Sequence, residues 1–238
     1  MNGLTGRVAI ITGGTGALGR AVSEAFLHVG ATVIAPYIVE AEVPLLRNRV
    51  GAYMSHLECP KADVTQEQEV RTLVRSVAER HGRIDILVNL VGGFWGGKSV
   101  SETDERDWDF MLQLNLKSAF LCAKVVAPEM LKGGWGRIVS VSSRAGVMGF
   151  GDYAAYSVAK GAIITLTKAL AEELLPHNIT VNAIAPSTID TEANRQAMSN
   201  ADWSRWVKPE EVAKVLTFLC SDDAQIISGA LIPVYGRA

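Results

Sequence analysis

The sequence is poor in cysteine, histidine and net charge. Its three cysteines, Cys59, Cys122 and Cys220, are widely separated and form no CxxC pair, so we expect neither a disulfide framework nor a cysteine zinc site, and a reducing compartment suits them best. The four histidines lie on separate predicted elements without the spacing of metal ligands, so no metal site is predicted. A net charge of −2 without a cluster of Lys and Arg offers no electrostatic attraction to nucleic acid or anionic lipid.

The sequence also lacks targeting and membrane segments at its start. The stretch "MNGLTGRVAIITGG" contains neither the charged and apolar regions of a signal peptide nor the ~20 apolar residues of a membrane span. We therefore expect a cytoplasmic protein. Apolar residues make up 48% of the chain and charged residues 20%, which is ordinary for a packed core. The length of 238 residues favours a single α/β domain over residues 1–238.

Short β-branched runs alternate with stretches of helical periodicity along the whole chain. The predicted strands are "VAIIT" at 8, "ATVIA" at 31, "RIDILVN" at 83, "RIVSVS" at 137, "ITVNAIA" at 179 and "ALIPV" at 230. The predicted helices cover residues 17–28, 66–81, 104–130, 152–175 and 209–219. Apolar strands joined by helices form parallel sheets covered on both faces, so we predict a doubly wound, Rossmann-type α/β fold.

A glycine-rich turn follows the first predicted strand. In "TGGTGALGR", residues 12–20, Gly14, Gly16 and Gly19 satisfy the GxGxxG pattern between a strand and a helix. Glycines there let the backbone approach a pyrophosphate closely, and the amino end of the helix attracts its charge. The turn therefore predicts a dinucleotide site, the alternative being a glycine-rich turn without a ligand.

The acidic residue that usually makes a dinucleotide site prefer NAD over NADP is absent at its expected position. An acidic residue ~20 positions beyond the glycines binds the ribose of NAD, but "ATVIAPYIVE" places Tyr37 there, and no Lys or Arg follows before Arg47. Without a cation to balance a 2′-phosphate of roughly −2 charge, the sequence slightly favours NAD. Glu40 is a more distant candidate for the ribose.

The stretch "SSRAGVMGFGDYAAYSVAKG", residues 142–161, contains candidate reaction residues. Tyr156 and Lys160 are four positions apart on a predicted helix and so share a face. An ammonium group there favours the phenolate and lowers the tyrosine pKa from about 10 toward the range of a general acid or base. Ser143 follows a strand, where ligands bind, and its hydroxyl is placed to contact a substrate carbonyl. The alternative is a solvated tyrosine and lysine on a helix face.

These motifs resemble those of the short-chain dehydrogenase/reductase family, from Arg7 to about Gly236. "TGGTGALG" is similar to the family's TGxxxGxG, with Ala17 at the usual position of the central glycine. "NLVGG" resembles its NNAG, with Leu90 replacing the second asparagine. "APSTID" resembles its proline-glycine segment, with Ser187 replacing the glycine.

The resemblance implies a catalytic tetrad of asparagine, serine, tyrosine and lysine. Its members here are Asn115, Ser143, Tyr156 and Lys160. In the implied reaction Ser143 orients a carbonyl oxygen and Tyr156 passes the proton. Lys160 binds the nicotinamide ribose and lowers the tyrosine pKa, and Asn115 holds a water that relays protons.

The resemblance further implies NAD or NADP as the cofactor and a set of residues that contact it. These residues are Gly13, Thr15, Gly16, Leu18, Gly19, Tyr37, Asp63, Val64, Asn89, Gly92, Tyr156, Lys160, Pro186, Ile189 and Thr191. The implied reaction is hydride transfer between the nicotinamide and a carbonyl or alcohol carbon, with a ketone or a 3-oxoacyl group as substrate.

Aromatic residues in two loops suggest an alternative substrate. Three stretches resemble the dihydropteridine reductase branch of the family and suggest that Phe94, Trp95 and Trp203 lie near a flat substrate such as a quinonoid pterin. Arg144 is a further candidate substrate contact. That branch lacks the serine and asparagine of the tetrad, which favours carbonyl chemistry here, and packing within loops is another interpretation of the aromatics.

Two questions concern the whole chain. A protein that binds NAD(P) as a sensor without catalysis is the alternative of another class, and the complete tetrad argues against it.

The helices containing "SAFLCAKVVAPEML" and "SVAKGAIITLTKALAEELL" are apolar over more than one face, which predicts a homo-oligomer. The family resemblance implies a tetramer. The partners predicted are a small carbonyl or alcohol substrate and copies of this chain, with no nucleic acid or membrane.

Overall fold

A computed structural model describes residues 3–237 of the chain. Its described residues contain a seven-stranded sheet in the order β3-β2-β1-β4-β5-β6-β7, in which every neighbouring pair is parallel. The strands are Val8–Thr12 (β1), Thr32–Ile34 (β2), Leu57–Glu58 (β3), Ile86–Asn89 (β4), Gly136–Val141 (β5), Ile179–Pro186 (β6) and Leu231–Val234 (β7). Because all strands run in one direction, their carboxyl ends meet at one edge, called here the carboxyl edge.

Helices cover both faces of this sheet. They are Ala17–His28 (α1), Glu42–Val50 (α2), Glu67–His81 (α3), Glu105–Leu112 (α4), Ser118–Gly133 (α5), Arg144–Met148 (α6), Ala154–Leu174 (α7), Glu192–Ala197 (α8) and Pro209–Leu219 (α9). A π-helical turn, Gln113–Lys117, joins α4 to α5.

The core lies in two layers, one on each side of the sheet. Adjacent residues of a strand enter opposite layers, as their alternating direction requires: Ile10 packs in the layer of α3, α5 and α7, and Ile11 packs in the layer of α1 and α9. Phe26 of α1 and Leu216 of α9 are fully buried in the second layer. The predicted doubly wound parallel architecture is confirmed.

Four elements were absent from the sequence prediction: β3, α2, and the short helices α6 and α8, which have five and six residues. β3 has only two residues, which is too short for a visible alternation of apolar and polar side chains. α2 buries Val43, Leu46 and Val50 but also contains Pro44 and the exposed Leu45, so its apolar residues are not confined to one face and its helical pattern is weak in the sequence. In addition, the helix predicted over residues 104–130 is interrupted by the π-helical turn.

Among residues 3–237, the helical stretch Glu105–Gly133 is long and apolar enough to cross a bilayer by length and composition. Half of the most apolar 18-residue stretch of this helix is buried within the fold, as in the core helix of a globular protein.

The three cysteines are free thiols. Burial raises the pKa of the Cys122 thiol to about 12, so this group is not a thiolate nucleophile at neutral pH.

Candidate active site

The predicted site residues gather along the carboxyl edge. The glycine-rich turn follows β1, Tyr37 follows β2, and the segment 90–94 follows Asn89 at the end of β4. Ser143 follows β5, and Pro186 ends β6. Ligands of doubly wound folds bind at this edge.

The glycines of the turn after β1 leave a concave backbone surface, called here the glycine cradle, that Cβ atoms at these positions would fill. A Cβ at Gly14 would lie 2.9 Å from the Cβ of Ala35 and the Oγ of Ser23, and a Cβ at Gly19 would overlap the carbonyl oxygen of Gly13. Gly13 itself has a positive φ of 69°. Gly16 caps α1 without a side-chain hydrogen bond, and no acidic residue lies in the first turn of α1. The free amide groups at this end are therefore available to a pyrophosphate.

The residues predicted near the adenosine lie at the outer part of the same edge. Tyr37 forms a parallel bridge with Lys61, and its backbone amide donates to the Pro60 carbonyl at 3.0 Å. Asp63 and Val64 follow directly, and Val64 is buried. The structure thus places Tyr37 beside the segment that leads to Asp63.

Glu42 is a residue of this region that the sequence analysis missed. Its Oε2 accepts a hydrogen bond from the Oγ1 of Thr15 in the glycine-rich turn, at 2.7 Å. Glu40, the acid proposed from sequence distance, is exposed. The only sequence signal for Glu42 was its acidic type, because the helix that turns it toward Thr15 has little periodicity.

Asn89 and Gly92 connect the turn to the catalytic side of the edge. Asn89 donates from Nδ2 to the Oγ of Ser140 at 3.1 Å, while its buried Oδ1 accepts no hydrogen bond among the described residues. A Cβ at Gly92 would lie 2.6 Å from the Oδ1 of Asn115 and 3.0 Å from the Nζ of Lys160. Gly92 therefore leaves these two side chains the space that they occupy.

Tyr156 and Ser143 interact across the start of α7. Burial raises the pKa of the Tyr156 phenol, and the neighbouring Ser143 hydroxyl acts in the opposite direction with a smaller effect. The sequence predicts a lowered pKa, and this expectation is wrong for the structure described here, because desolvation of the phenol is the larger effect. The Oγ of Ser143 also accepts from the backbone amide of Ala145 at 3.1 Å, which caps α6.

Lys160 is buried one helical turn beyond Tyr156. Its Nζ donates to the carbonyl oxygen of Val141, at the end of β5, at 2.9 Å. Burial lowers the pKa of Lys160 from 10.5 to about 8. The ammonium group is therefore still mainly charged at neutral pH and points to the carboxyl edge, beside Gly92.

Asn115 is buried in the π-helical turn. Its Oδ1 accepts from the Gly93 amide at 3.2 Å, and its Nδ2 donates to the carbonyl oxygens of Gly93 and Met111, both at 3.1 Å. Single π-helical turns are frequent at functional sites because they redirect one side chain of a helix. Here the redirected side chain fixes the loop that follows β4.

The segment after β6 forms the opposite wall of the site. Beyond Pro186, Ile189 forms a parallel bridge with Val207. The Oγ1 of Thr191 accepts from the Asn194 amide at 3.3 Å and caps α8. These contacts place Pro186, Ile189 and Thr191 at the carboxyl edge.

Of the four candidate substrate residues, Phe94 packs against the rings of Tyr153 and Tyr156. Its ring centroid lies 5.0 Å from that of Tyr156, edge to face, and 4.9 Å from that of Tyr153, stacked. Trp95 instead has the Lys98 ammonium 5.4 Å from its ring.

Trp203 and Arg144 make contacts of their own. Trp203 packs with the Arg195 guanidinium at 4.8 Å and with Trp206 at 6.4 Å. The Arg144 guanidinium lies 5.4 Å from the ring of Tyr235, and its buried Nε has no hydrogen-bond partner among residues 3–237.

The residues present fit a nicotinamide dinucleotide. The glycine cradle and the uncapped end of α1 suit the pyrophosphate, and the buried Lys160 ammonium lies at the same edge as Ser143 and Tyr156. A fold and site of this kind define a dinucleotide-binding oxidoreductase.

Comparison with known proteins shows the family. The sequence model described as "Enoyl-(Acyl carrier protein) reductase" (adh_short_C2) matches residues 14–236. The chain belongs to the short-chain dehydrogenase/reductase family, whose members are NAD(P)-dependent oxidoreductases acting on alcohols and carbonyls.

Similar proteins cover nearly the whole chain. The 3-oxoacyl-[acyl-carrier-protein] reductase of Thermotoga maritima is 35% identical over 98% of this chain and 98% of its own length. The solved structure of an NAD⁺-bound xylitol dehydrogenase superimposes with a TM-score of 0.91 at 29% identity, over 98% of this chain and 99% of that one. That of ElxO with NADP bound has a TM-score of 0.91 at 27% identity, over 97% of each chain.

Proposed function

We propose that this protein is a reductase of ketones or 3-oxoacyl groups that also oxidises the corresponding alcohols. The observation that carries the proposal is the interaction of Tyr156 with Ser143 at the carboxyl edge, one helical turn from the buried Lys160. The Thermotoga maritima relative, a 3-oxoacyl reductase by name, supports 3-oxoacyl groups as the first substrates to test.

The chain's own residues account for the movement of the proton. A bound nicotinamide supplies or accepts the hydride. The Tyr156 phenol, whose pKa is raised by burial, is protonated at neutral pH and donates its proton to the carbonyl oxygen in the direction of reduction. Ser143 donates a hydrogen bond to the same oxygen, and general acid help of this kind is worth roughly 10² to 10⁴ in rate.

Lys160 and Asn115 are proposed to assist Tyr156 without donating its proton themselves. We propose that the Lys160 ammonium, mainly charged below its pKa of about 8, binds the nicotinamide ribose. Asn115 fixes the backbone of Gly93 and, in this proposal, holds a water that relays protons outward.

The proposed cofactor is NAD, with a modest preference over NADP. Tyr37 and Ile38 follow β2 and carry no charge to recognise a 2′-phosphate. A preference of this origin is small, and both dinucleotides occur among the similar solved structures.

Reduction of a quinonoid pterin is the second candidate function. The edge-to-face contact of Phe94 with Tyr156 favours a flat ring near the phenol. Trp203, however, packs against Arg195 and Trp206, so the three aromatics do not form one stacking pocket in this structure. Ketones and 3-oxoacyl groups therefore come first.

Three further properties complete the proposal. We propose that residues 1–238 form one domain that both binds the dinucleotide and carries the catalytic residues. The free thiols suit a reducing compartment such as the cytoplasm. The exposed apolar side chains on α4 and α5, Phe110 and Phe120, support a homotetramer.

The test combines binding with turnover. Nicotinamide fluorescence is titrated with the purified protein for NADH and NADPH, and the reduced cofactor is then offered with a ketone, a 3-oxoacyl thioester and a quinonoid pterin. We expect binding and substrate-dependent oxidation with one of the first two substrates. Tight binding without turnover on any of the three would instead favour a sensor.

A further inference from the structure

A carboxylate from α2 reaches back to the glycine-rich turn. Glu42, the first residue of α2, accepts a hydrogen bond at Oε2 from Thr15 Oγ1 at 2.7 Å. Thr15 is only 2% exposed, so this hydrogen bond fixes the carboxylate rather than leaving it mobile in solvent. Among residues 3–237, the other oxygen, Oε1, accepts no hydrogen bond.

This carboxylate lies where the adenosine half of a dinucleotide belongs. In doubly wound folds the pyrophosphate sits on the turn after β1, and the adenosine ribose lies between that turn and the end of β2. Thr15 is part of that turn, and the chain from Tyr37 to Glu42 connects β2 to α2. The backbone amides of Glu42 and Val43 bond to the carbonyls of Val39 and Glu40, and this tight turn directs α2 back toward Thr15.

We propose that Glu42 binds the adenosine ribose and sets the preference for NAD over NADP, in place of the acid that is absent at Tyr37. The inference rests on the proposed dinucleotide-dependent function. With Oε2 occupied by Thr15, Oε1 accepts a hydrogen bond from a ribose hydroxyl. A 2′-phosphate brings roughly two negative charges to the same place and is repelled by the carboxylate.

Two arginines near this region already have acceptors. Arg20 donates to the carbonyl oxygen of Thr15 at 2.9 Å. Arg49, in the last turn of α2, is bonded to Glu24 at 2.7 Å and to Glu210 at 2.8 Å. To bind a 2′-phosphate, either arginine would have to leave an existing partner.

The experiment measures dissociation constants and needs no substrate. Kd values for NADH and NADPH are measured by fluorescence titration for the wild type, Glu42→Gln and Glu40→Gln. In Glu42→Gln the amide side chain retains the shape and an acceptor for Thr15 but loses the charge. We expect the wild type to bind NADH about tenfold more tightly than NADPH, Glu42→Gln to reduce the ratio to about twofold or less, and Glu40→Gln to leave it unchanged.

The alternative results separate this inference from the proposed function. A ratio that is unchanged in Glu42→Gln, or one that collapses equally in Glu40→Gln, would overturn the assignment to Glu42 while leaving dinucleotide binding intact. A wild type that prefers NADPH would overturn it as well. If the wild type binds neither dinucleotide, the proposed function itself fails.

A measurement on the wild type alone tests the same proposal, so it does not depend on whether the Glu42→Gln variant folds. Salt screens the repulsion between the Glu42 carboxylate and a 2′-phosphate. The wild-type Kd ratio of NADPH to NADH should therefore fall as NaCl is raised from low to physiological concentration and above. A ratio that is constant or rises with salt contradicts charge repulsion as the cause of the preference.

Discussion

Tyr156 is one of two tyrosines near the start of α7, and only it interacts with Ser143. Replacing Tyr156 with Phe removes the transferable proton and almost no volume. We expect kcat to fall by about 10² or more, with Kd for the dinucleotide changed by no more than about twofold. Steady-state kinetics and fluorescence titration measure the two effects separately.

Tyr153 provides the matched control. It stacks on Phe94 at 4.9 Å, so Tyr153→Phe retains the ring contact and should retain most of kcat. A Tyr156→Phe variant that keeps more than about a tenth of the wild-type kcat would contradict the proposed proton donor.

Lys160 links the site to stability through its buried charge. Burial lowers its pKa from 10.5 to about 8, so between these pH values the unfolded chain binds more protons than the folded one. The free energy of unfolding should therefore rise with pH in this window, whereas below pH 8 both states are protonated and the full cost of burial is present. Relative to Lys160→Met, the wild type should gain up to about 3 kcal/mol from pH 8 to 10.5.

Urea unfolding of both proteins across this pH range tests the prediction. Other titrating groups contribute equally to the two proteins and cancel in the difference. Lys168→Met, at an exposed position of the same helix, is the control for the loss of one lysine. A difference between wild type and Lys160→Met that is independent of pH would be inconsistent with a desolvated ammonium group.

Gly92 is constrained by its neighbours rather than by its backbone conformation. A methyl group there would lie 2.6 Å from the Asn115 Oδ1 and 3.0 Å from the Lys160 Nζ. We expect Gly92→Ala to displace both side chains and to lower kcat by about tenfold or more, since displacements near 1 Å can cost 10² in rate. Gly151→Ala, which meets nothing within 4 Å, should keep wild-type kinetics, and equal kinetics of the two variants would show that the space beside Gly92 is not needed.

At the scale of elements, the π-helical turn between α4 and α5 connects the long helix to the loop after β4. Asn115 holds Gly93 through two hydrogen bonds of 3.1 and 3.2 Å. We expect Asn115→Ala to speed amide hydrogen exchange in the segment from Gly93 to Lys98 and to lower kcat. Gln113→Ala, in the same turn, is the control, and unchanged exchange in Asn115→Ala would show that the loop is held by other contacts.

The sequence predicted those elements whose periodicity is strong. The six predicted strands lie in the sheet, and α1 and α9 cover the ranges expected from apolar spacing. β3 could not be predicted because its two residues derive their strand conformation from pairing with β2. The π-helical turn at Asn115 was invisible because its one extra residue leaves the surrounding apolar pattern helical.

The candidate site was predictable to the extent that it follows strand ends. Ser143 and the glycine-rich turn could be placed because the carboxyl ends of parallel strands share one edge. Glu42 could not, since its position depends on the turn that precedes α2. The direction of the Tyr156 pKa shift could not be predicted either, because it depends on the burial of the phenol and not on its spacing from Lys160.

At the scale of the whole molecule, apolar side chains lie exposed on α4 and α5. Phe110 is 55% exposed and Phe120 is 43% exposed. Beside them is a groove of about 480 Å³, lined by Asp109, Leu112, Gln113, Leu116, Lys117, Phe120 and Leu166. Large exposed apolar patches mark interaction surfaces, and we propose that a second copy of the same helices covers this one.

Sedimentation at micromolar concentration tests this assembly. We expect the wild type to sediment as a tetramer and Phe120→Asp to form smaller species, because a carboxylate placed in an apolar interface loses its solvation without gaining a partner. Leu45→Asp is the control, since Leu45 is similarly exposed, at 52%, but lies on α2. Circular dichroism should show the same helix content in all three proteins. A wild type that is a stable monomer would exclude the tetramer, and a Phe120→Asp tetramer would place the interface elsewhere.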